Sequence, residues 1–483
     1  MRKFTRILSL ALSFLLCANV FAACGDNADS SSLESSPAES SSAAHVHEIS
    51  GLWSSNSTGH WHACECGERV DYAKHSGGTA TCGQKAMCEI CFKLYGEEGT
   101  HQYGGLTDTE EGKAYVCDCG DTQLLSNLVD FTVEVEMGRD PIILQLSDPQ
   151  IMYYGESEMK SKCYSYIRET VEATNPDLIL VTGDLTYGKF ETTNGKVFSS
   201  YVEFMETLET PWAPVFGNHD NECPMGVDWQ CQLLEEAENC LFKQGSLTGN
   251  GNYSVGIVQG DSLLRTFFML DSNGCSAAST ASLNGANGIK TSAGFGDDQT
   301  LWYKNAMRKI TAVSPDTKLS MAYHIQPSSV SLAYKQYKEY NATLSADGKA
   351  YKYPLNLDTL ETAREGDIGF LGRPLKGAWG EAYSYHSSIK ALNVDSVFFG
   401  HEHCNSVSIV YDGIRYQYGQ KSSTYDRYNA VTVDGAIVGG YDSEHAEGSK
   451  ALIGGTAFRL SQEDGSIVSP YIYLCGDPFG MNP

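Results

Sequence analysis

Positive charge is scarce in this chain of 483 residues, which has 34 Lys and Arg against 60 Asp and Glu and a formal net charge of −26. A protein that binds nucleic-acid phosphates needs a basic surface, so this balance argues against that class of function. The same charge disfavours electrostatic docking on anionic lipid. Hydrophobic residues nevertheless make up 41% of the chain, which is enough for a sizeable core and excludes wholesale disorder.

Long apolar runs are missing after the N-terminus, so the rest of the chain is not expected to cross a membrane. The N-terminus itself is basic and is followed by a nearly continuous apolar stretch, Ile7–Leu16, which predicts an export signal over residues 1–23. The small residues before Cys24 resemble a bacterial lipobox, so we expect Cys24 to carry lipid. The alternative is an ordinary secreted protein that is cut nearby. Either way the protein is expected to be exported, as a cell-envelope lipoprotein or extracellular, touching the membrane only through a lipid anchor at Cys24.

Composition divides the remainder into three parts. Residues 24–44 are rich in Ser and have no apolar periodicity, which predicts a flexible tether. Residues 45–125 are rich in Cys and His. Residues 131–483 have the composition of an ordinary globular domain.

The Cys- and His-rich region, residues 45–125, is too short to bury much apolar surface and needs covalent or metal staples. Its candidate staples are Cys64, Cys66, Cys82, Cys88, Cys91, Cys117 and Cys119, with His45, His47, His60, His62, His75 and His101. Export favours disulfides. An odd number of cysteines and abundant histidine favour zinc, for which thiolate and imidazole are the usual ligands.

The pattern from His60 to Cys91 is similar to modules on bacterial surface proteins, and Cys64-Glu-Cys66-Gly67 recurs as Cys117-Asp-Cys119-Gly120. We therefore interpret the region as a zinc-stapled spacer or adhesive module. A cell-wall or surface ligand is its expected partner.

Short apolar runs alternate with helical patterns in the last part, which predicts buried strands in an α/β fold. The predicted strands are 141–147, 177–182, 213–216, 263–270, 318–323 and 394–399. The predicted helices are 160–174, 198–209, 229–242, 298–313 and 383–392, with Asp298 as an N-cap. A hairpin around Asp412-Gly413 is expected within 407–419, and 430–474 is expected to be rich in strands.

Side chains suited to metal and acid–base chemistry follow these strands directly. They are Asp148 and Gln150, Gly183-Asp184, Gly217-Asn218-His219-Asp220, His324, and Gly400-His401-Glu402-His403. Open α/β sheets place their sites at the carboxyl ends of the strands, so we expect these groups to meet. Carboxylate, amide and imidazole donors suit Fe, Mn or Zn, and two such ions sharing one carboxylate can polarise a phosphoryl oxygen.

From Ile142 to Tyr418 this set of motifs resembles the calcineurin-like metallophosphoesterases. The resemblance implies an α/β fold in which two mixed β-sheets form a sandwich flanked by helices. It implies that Asp184 bridges two metals, that Asn218, His324 and His401 bind one, and that Asp148 and His403 bind the other. His219 is then the group that contacts the phosphate and protonates the leaving oxygen, and Asp220 orients His219.

The first motif departs from the family pattern, because Gln150 stands where the family usually has a histidine. Gln150 could ligate through its amide oxygen. Alternatively, Tyr187 could ligate, since Gly183-Asp184-Leu185-Thr186-Tyr187 is similar to the motif of purple acid phosphatases, in which a tyrosinate binds iron(III). The stretch Gly400–Gly419 also resembles that branch.

The resulting prediction is an exported enzyme that hydrolyses phosphate mono- or diesters with a metal-activated hydroxide. Its acidity favours a small phosphate ester over a polyanion. The alternative is a surface binding or adhesive protein with a degenerate phosphoesterase domain, for which Gln150 is the one favourable feature.

Several other polar residues are expected to be structural. His386 and His445 are interpreted as hydrogen-bonded histidines, Asp271 as a turn residue and Cys404 as a packing residue. Cys223, Cys231 and Cys240 are close enough in sequence to include one disulfide.

Overall fold

The computed structural model describes residues 46–153, 158–274, 292–336, 368–371, 375–403, 405–423, 431–433, 436–438, 453–475 and 482. The predicted export signal, Cys24 and the tether lie outside the described residues, as do His45, Cys404 and His445. The chain forms two compact units, one from residues up to 78 with 87–95, the other from 79–86 with 96–483. The Cys- and His-rich region is thus divided between the two units. Among the described residues, no helix is long and apolar enough to cross a membrane.

The first unit contains one antiparallel sheet of three strands in the order β1-β2-β3. Its strands are β1 (Ile49–Ser55), β2 (Gly59–Cys64) and β3 (Arg69–Lys74). Most side chains of β1 and β3 are exposed, and no described residue of this unit belongs to a hydrophobic core cluster. Apolar burial alone therefore contributes little to the stability of this unit.

The rest of the Cys- and His-rich region is also made of short strands. They are β4 (Lys85–Met87), β5 (Leu94–Glu98), β6 (Tyr103–Thr109), β7 (Gly112–Cys117) and β8 (Thr122–Leu124). Strands β6, β7 and β8 form a second three-stranded antiparallel sheet in sequential order. The two three-stranded sheets therefore share one topology.

The remainder of the second unit is built on two larger sheets. The five-stranded sheet has the order β12-β11-β10-β22-β23. Its strands are β10 (Ile142–Leu146), β11 (Leu178–Thr182), β12 (Trp212–Val215), β22 (Gly454–Leu460) and β23 (Ile467–Leu474). Strands β10, β11 and β12 are parallel, whereas β22 runs antiparallel to β10.

The eight-stranded sheet has the order β16-β18-β19-β17-β15-β14-β13-β9. Its strands are β9 (Phe131–Val135), β13 (Tyr253–Gln259), β14 (Ser262–Met269), β15 (Lys318–Ala322), β16 (Ile368–Leu371), β17 (Val394–Phe399), β18 (Asn405–Tyr411) and β19 (Ile414–Tyr418). A separate hairpin consists of β20 (Val431–Val433) and β21 (Ala436–Val438). The helices are α1 (Glu158–Thr174), α2 (Lys196–Glu206), α3 (Val227–Glu236), α4 (Asp297–Val313) and α5 (Ala382–Lys390).

The two large sheets pack face to face through buried aromatic side chains. Phe398 on β17 stacks on Phe458 of β22 with ring centroids 5.1 Å apart, and Phe267 on β14 lies 6.4 Å from the same ring. Burial of such rings away from water is the main source of stability for a sandwich core. The predicted α/β sandwich of two mixed sheets with flanking helices is confirmed.

The predicted strands and helices of this domain are present, and their ends differ by six residues at most. Strands β9, β13 and β16 were missing from the sequence prediction. Strand β13 contains Gly256 and follows a Gly-rich segment that is typical of a loop. Asp298 is not the N-cap of α4, because the helix begins one residue earlier and Gly296 precedes it. The Asp298 carboxylate instead accepts the backbone N–H of Thr248 at 2.7 Å.

Candidate metal centre

The predicted motifs lie at the carboxyl ends of five strands from both large sheets. Asp148, Asp184 and Asn218 follow β10, β11 and β12. His324 follows β15, and the segment with His401 and His403 follows β17. Each polar group therefore sits just beyond a strand whose apolar residues fix its position in the core.

One group of donors is centred on the side-chain oxygen of Asn218. Its Oδ1 lies 2.9 Å from His401 Nδ1 and 3.1 Å from His324 Nε2. His324 Nε2 is also 3.4 Å from Asp184 Oδ1. Two imidazoles, one amide oxygen and one carboxylate thus converge, as the sequence predicts.

A second group of donors shares Asp184 with the first. His403 Nε2 lies 3.1 Å from Asp148 Oδ1. Ligand atoms of Asp148, Asp184 and His403 all lie within 4.8 Å of one another, a spacing that one ion could span. Because Asp184 belongs to both groups, it stands where a bridging carboxylate is needed.

The surroundings of His324 fit a metal ligand. Its Nδ1 lies 2.9 Å from the carbonyl oxygen of Thr182, so the Nδ1–H donates there and Nε2 faces Asn218 and Asp184. Burial alone would lower the pKa of His324, but the carboxylates of Asp184 and Asp148 raise it to about 10. The cluster therefore stabilises positive charge, and its oxygen and nitrogen donors suit Fe, Mn or Zn.

Four non-glycine residues of this centre have left-handed backbone conformations. The φ angles are 49° at Asp148, 45° at Gln150, 52° at Asp184 and 71° at His401. Such a conformation costs about 1–3 kcal/mol per residue and persists only where the surroundings enforce it. One enforcing contact is the N–H of His401, which donates to both carboxylate oxygens of Asp148 at 3.2 and 3.0 Å.

Two glycines of the motifs are required because carboxylate side chains approach their backbone closely. A Cβ added at Gly217 would collide with the Asp184 carboxylate, and one added at Gly400 would collide with that of Asp148. Gly217 therefore leaves room for the Asp184 carboxylate, and Gly400 leaves room for that of Asp148.

The structure places Gln150 beside Asp184 and beside a lysine that the sequence prediction did not include. Gln150 Nε2 donates to Asp184 Oδ2 at 2.9 Å, and Gln150 Oε1 accepts from Lys421 Nζ at 3.2 Å. Lys421 also donates to the backbone carbonyl of Asp148 at 2.9 Å. Burial lowers the pKa of Lys421 to about 8, against the opposing effect of Asp148 and Asp184.

His219 lies next to the donor groups but is oriented by a different residue from the one predicted. Its backbone N–H donates to Asp184 Oδ1 at 2.9 Å, and its Nδ1 lies 2.9 Å from Glu222 Oε2. The prediction that Asp220 orients His219 is wrong. The Asp220 carboxylate is occupied by three backbone N–H groups, those of Gly217, Thr186 and Leu185, at 2.8, 3.0 and 3.2 Å.

Glu222 could have been found from the sequence, since it is the acidic residue three positions after His219. The intervening residues form a 3₁₀ turn, Asp220–Glu222, which brings position i+3 back over position i. Proximity in sequence favours the immediate neighbour, Asp220, instead. The buried Asp220 side chain organises the loop, and burial together with Asp184 raises the pKa of Asp220 to about 8.

Tyr187 packs on His219. Its ring centroid lies 4.0 Å from that of His219 at an interplanar angle of 58°, and 4.9 Å from that of Phe190. Its role as a metal ligand stays a prediction, as does that of Gln150.

The predicted structural residues have structural contacts where they are described. His386 lies 2.9 Å from the Tyr416 hydroxyl and 3.1 Å from Asp412. Asp271 accepts the N–H groups of Asn250 and Asn273, as a turn residue does. The expected disulfide among Cys223, Cys231 and Cys240 is not present, since all three thiols are reduced and buried.

Known proteins resemble this chain mainly over the domain just described. A curated relative from Arabidopsis thaliana, "Probable inactive purple acid phosphatase 14", is 29% identical over 102 residues, which are 19% of this chain and a quarter of that relative's length. Among solved structures, GAP50, the anchor in the inner membrane complex of Plasmodium, gives a TM-score of 0.37 at 12% identity, covering 70% of this chain and 90% of that one. A dimetal phosphatase from Danio rerio gives 0.35 at 10% identity, covering 69% and 99%.

The family assignment depends on a different comparison. The model of the calcineurin-like phosphoesterase family matches residues 141–405, more than half of the chain. That range begins just before β10 and includes the strand ends that carry all of the donors. The chain therefore belongs to the calcineurin-like phosphoesterase family.

Proposed function

We propose that this protein is a metal-dependent phosphoric ester hydrolase that acts on small phosphate mono- or diesters with two metal ions. The observation that carries the proposal is the pair of donor groups that share Asp184, with His219 held beside them. Membership of the calcineurin-like phosphoesterase family supports the same reaction class.

Two cations, Fe, Mn or Zn, are expected in this centre. Asp184, Asn218, His324 and His401 would hold one, and Asp148, Asp184 and His403 would hold the other. When bound, such ions supply Lewis acidity toward the phosphoryl oxygens and an activated water nucleophile. The protein's own part is to fix these donors on strand ends before the substrate arrives.

His219 is proposed to donate the proton that the leaving oxygen needs. With Nδ1–H hydrogen-bonded to the Glu222 carboxylate, the imidazole is held in one orientation and Nε2 carries the proton to be transferred. His219 is partly exposed, with 23% of its side chain accessible, so an incoming substrate can reach it.

The substrate is proposed to be small. The net charge of −26 repels polyanions, and this repulsion is relieved only near bound cations. A long nucleic acid would meet unfavourable charge over most of its length.

The test is hydrolysis of a chromogenic phosphomonoester and the matching diester by the full chain, with Mn, Fe or Zn added and a chelator as control. We expect turnover that the chelator abolishes and that His219→Ala and Asp184→Ala lose. The ratio of monoester to diester rates then identifies the substrate class. A folded, metal-loaded protein that turns over neither ester would refute the proposal.

One feature favours the alternative, a surface binding protein with a degenerate phosphoesterase domain. Gln150 presents its NH₂ group to Asp184, and an NH₂ group cannot bind a metal. The relative from Arabidopsis thaliana, which matches over 102 residues, is also named inactive. Stoichiometric metal binding without turnover of either ester would support this alternative.

Export and anchoring complete the proposal. The lipobox-like sequence before Cys24 supports a lipoprotein whose Ser-rich tether and Cys- and His-rich region separate the enzyme from the membrane. The Cys- and His-rich region could also bind a cell-wall or surface ligand. Incorporation of a labelled lipid precursor tests the anchor, and a Cys24→Ala variant that still takes up label would contradict it.

A further inference from the structure

The Cys- and His-rich region contains two groups of four potential ligands whose spacing can be compared with that of known staples. Two sulfurs in a disulfide are about 2.05 Å apart. A tetrahedral zinc ion with Zn–S bonds of about 2.3 Å and Zn–N bonds of about 2.0 Å holds sulfur and nitrogen roughly 3.5 Å apart and two sulfurs roughly 3.8 Å apart. The two kinds of staple therefore predict different distances.

The first group, called site A, consists of His60, His75, Cys88 and Cys91, which lie within one compact unit. Cys88 Sγ lies 3.6 Å from His60 Nδ1, and Cys91 Sγ lies 3.4 Å from His75 Nδ1. These are the separations expected across a tetrahedral zinc ion. The four ligand atoms all lie within 4.8 Å of one another.

The second group, called site B, consists of Cys82, His101, Cys117 and Cys119, which lie within the other unit. Cys82 Sγ lies 3.5 Å from Cys117 Sγ, and Cys119 Sγ lies 3.4 Å from His101 Nδ1. The sulfur pair is far beyond disulfide bonding and close to the zinc value.

The histidines of site A are prepared for a metal. The other ring nitrogen of His75, Nε2, donates to the backbone carbonyl of Asn56 at 2.9 Å, which leaves the Nδ1 lone pair directed at the cysteine. His60 is fully buried, and its Nδ1 faces Cys88 Sγ at 3.6 Å.

We infer that sites A and B are two closed structural zinc sites, one with two Cys and two His ligands and the other with three Cys and one His. Both ligand sets belong to the known classes of structural zinc site. The two ligand sets are interleaved along the sequence, because Cys82 of site B lies between His75 and Cys88 of site A. This inference is independent of the phosphoesterase reaction.

A third group provides an internal control. His47, Cys64 and Cys66 repeat the pattern of His101, Cys117 and Cys119, but only three donors gather there among the described residues. Cys64 and Cys66 sulfurs are 2.8 Å apart, too close for two zinc ligands, and Glu68 lies 3.3 Å from His47 Nε2. This triad is therefore not counted as a closed site.

The experiment is cobalt substitution of the full chain under reducing conditions, read by cobalt–thiolate charge-transfer absorption. The phosphoesterase donors include no thiolate, so the catalytic centre does not contribute to this signal. We expect saturation at two thiolate-bound cobalt ions with five thiolates, two from site A and three from site B. Zinc should displace both ions. Absence of the charge-transfer band, or disulfides among these cysteines in the native protein, would overturn the inference.

Variants assign the ligands. Cys91→Ser and Cys119→Ser should each reduce the zinc content by one ion per chain, whereas the matched Cys66→Ser should leave it unchanged. If the first two variants fail to fold, the cobalt spectrum of the wild-type chain still decides the question. Loss of one zinc in Cys66→Ser with none lost in Cys119→Ser would overturn the assignment of site B.

A different observation carries a second inference, which rests on the proposed two-metal function. Lys421 follows β19 and pairs with Ser147 in a β-bridge at the end of β10. There its ammonium contacts the Asp148 carbonyl and the oxygen of Gln150. The opposite amide orientation would place NH₂ against the ammonium and oxygen against a carboxylate, so the network fixes Gln150 with its NH₂ facing Asp184.

The geometry points to Lys421 as a positioning residue that makes the two metal positions unequal. It turns the Gln150 oxygen away from Asp184, and its buried charge repels a cation held by Asp148 and His403. The position formed by Asn218, His324 and His401 does not include Asp148, whose backbone carbonyl Lys421 contacts. The second position is therefore the weaker one.

The test is Mn²⁺ titration of the full chain, with zinc retained in sites A and B and the catalytic centre freed of metal, followed by electron paramagnetic resonance of the unbound ion. We expect two classes of site whose dissociation constants differ by at least about 10-fold, and Lys421→Met should reduce the difference about 10-fold. Lys390→Met, at an exposed surface pair, is the matched control. Equal affinities in the wild type, or no effect of Lys421→Met, would overturn this inference alone if the esters are still hydrolysed. Absence of Mn²⁺ binding in both proteins would overturn the inference and the proposed function together.

Discussion

The Cys- and His-rich region and the phosphoesterase domain both gather metal-binding side chains, but on opposite kinds of scaffold. In the first unit, strands β1 and β3 are largely exposed, and none of the residues described there enters a hydrophobic core cluster. In the phosphoesterase domain, each candidate metal donor follows a buried strand, and the two sheets share an aromatic core. We infer that bound metal stabilises the fold of the Cys- and His-rich region, whereas in the phosphoesterase domain the folded sheets position the metal ligands.

Metal removal should produce the largest difference in stability between the two regions. After chelation, backbone amides of β1, β2 and β3 should lose nearly all protection from hydrogen exchange, because structural zinc contributes about 10–16 kcal/mol to the folding of small domains. Amides of β10 and β11 should stay protected. Hydrogen–deuterium exchange with mass spectrometry measures both in one sample. Equal loss of protection in the two regions would contradict the comparison.

In the phosphoesterase domain, loss of a metal ligand should remove activity and leave the fold. Asp184→Asn should lower kcat/KM by at least about 10³-fold, since the shared ligand supports both metal positions. The thermal unfolding midpoint should fall modestly, because the change leaves the buried His324 imidazole without the carboxylate that raises its pKa. Ester hydrolysis and thermal denaturation of the purified chain test this. An unfolded variant would show that this domain also needs its metal to fold.

The stability of the phosphoesterase domain should instead depend on its buried interactions. Arg265 is fully buried and binds Asp395 through two hydrogen bonds of 2.6 and 2.7 Å. Asp395→Ala would leave an unpaired buried guanidinium and should lower the free energy of unfolding by about 3–5 kcal/mol. Urea denaturation of the full chain measures it.

The matched control for that change is a surface pair in the Cys- and His-rich region. Asp108 is 86% exposed and lies 3.3 Å from Lys113. Asp108→Ala should change stability by less than about 1 kcal/mol. Similar effects of the two substitutions would show that the buried pair is not special.

A smaller, purely catalytic effect concerns the histidine and its carboxylate. His219→Ala should lower kcat by about 10²–10³-fold with a poor leaving group and much less with a good one, as removal of a general acid does. Glu222→Gln should cost only about 10-fold, because the amide still accepts the Nδ1–H hydrogen bond. Rates for esters of graded leaving-group pKa test this. Identical losses for all leaving groups would exclude the role as acid.

The candidate metal donors could be recognised in the sequence because each is local to a strand end. Asp148, Asp184, Asn218, His324 and His401 each stand within three residues of the strand that positions them. An apolar run followed by a polar donor, with a Gly just before the donor at Asp184, Asn218 and His401, identifies such a residue. Strand β13 escaped prediction because a glycine interrupts it and glycines precede it.

Residues whose role depends on distant contacts were not predicted. Lys421 lies 271 positions from Gln150 along the chain, and no motif connects them. The choice between Asp220 and Glu222 as partner of His219 was likewise hidden, because it depends on which carboxylate the backbone amides of Thr186 and Leu185 occupy. Sequence proximity favoured the wrong one.

The sequence by itself therefore determined which chemical groups are available. They are oxygen and nitrogen donors at strand ends, a histidine suited to proton transfer, and the thiolates and imidazoles of the Cys- and His-rich region. Tertiary structure alone decided how these donors are grouped. It assigned Cys82 to His101 rather than to its neighbour His75, and it brought Lys421 to Gln150. The physical reason is that ligand type is a property of each side chain, whereas ligand grouping is set by strand pairing across long stretches of chain.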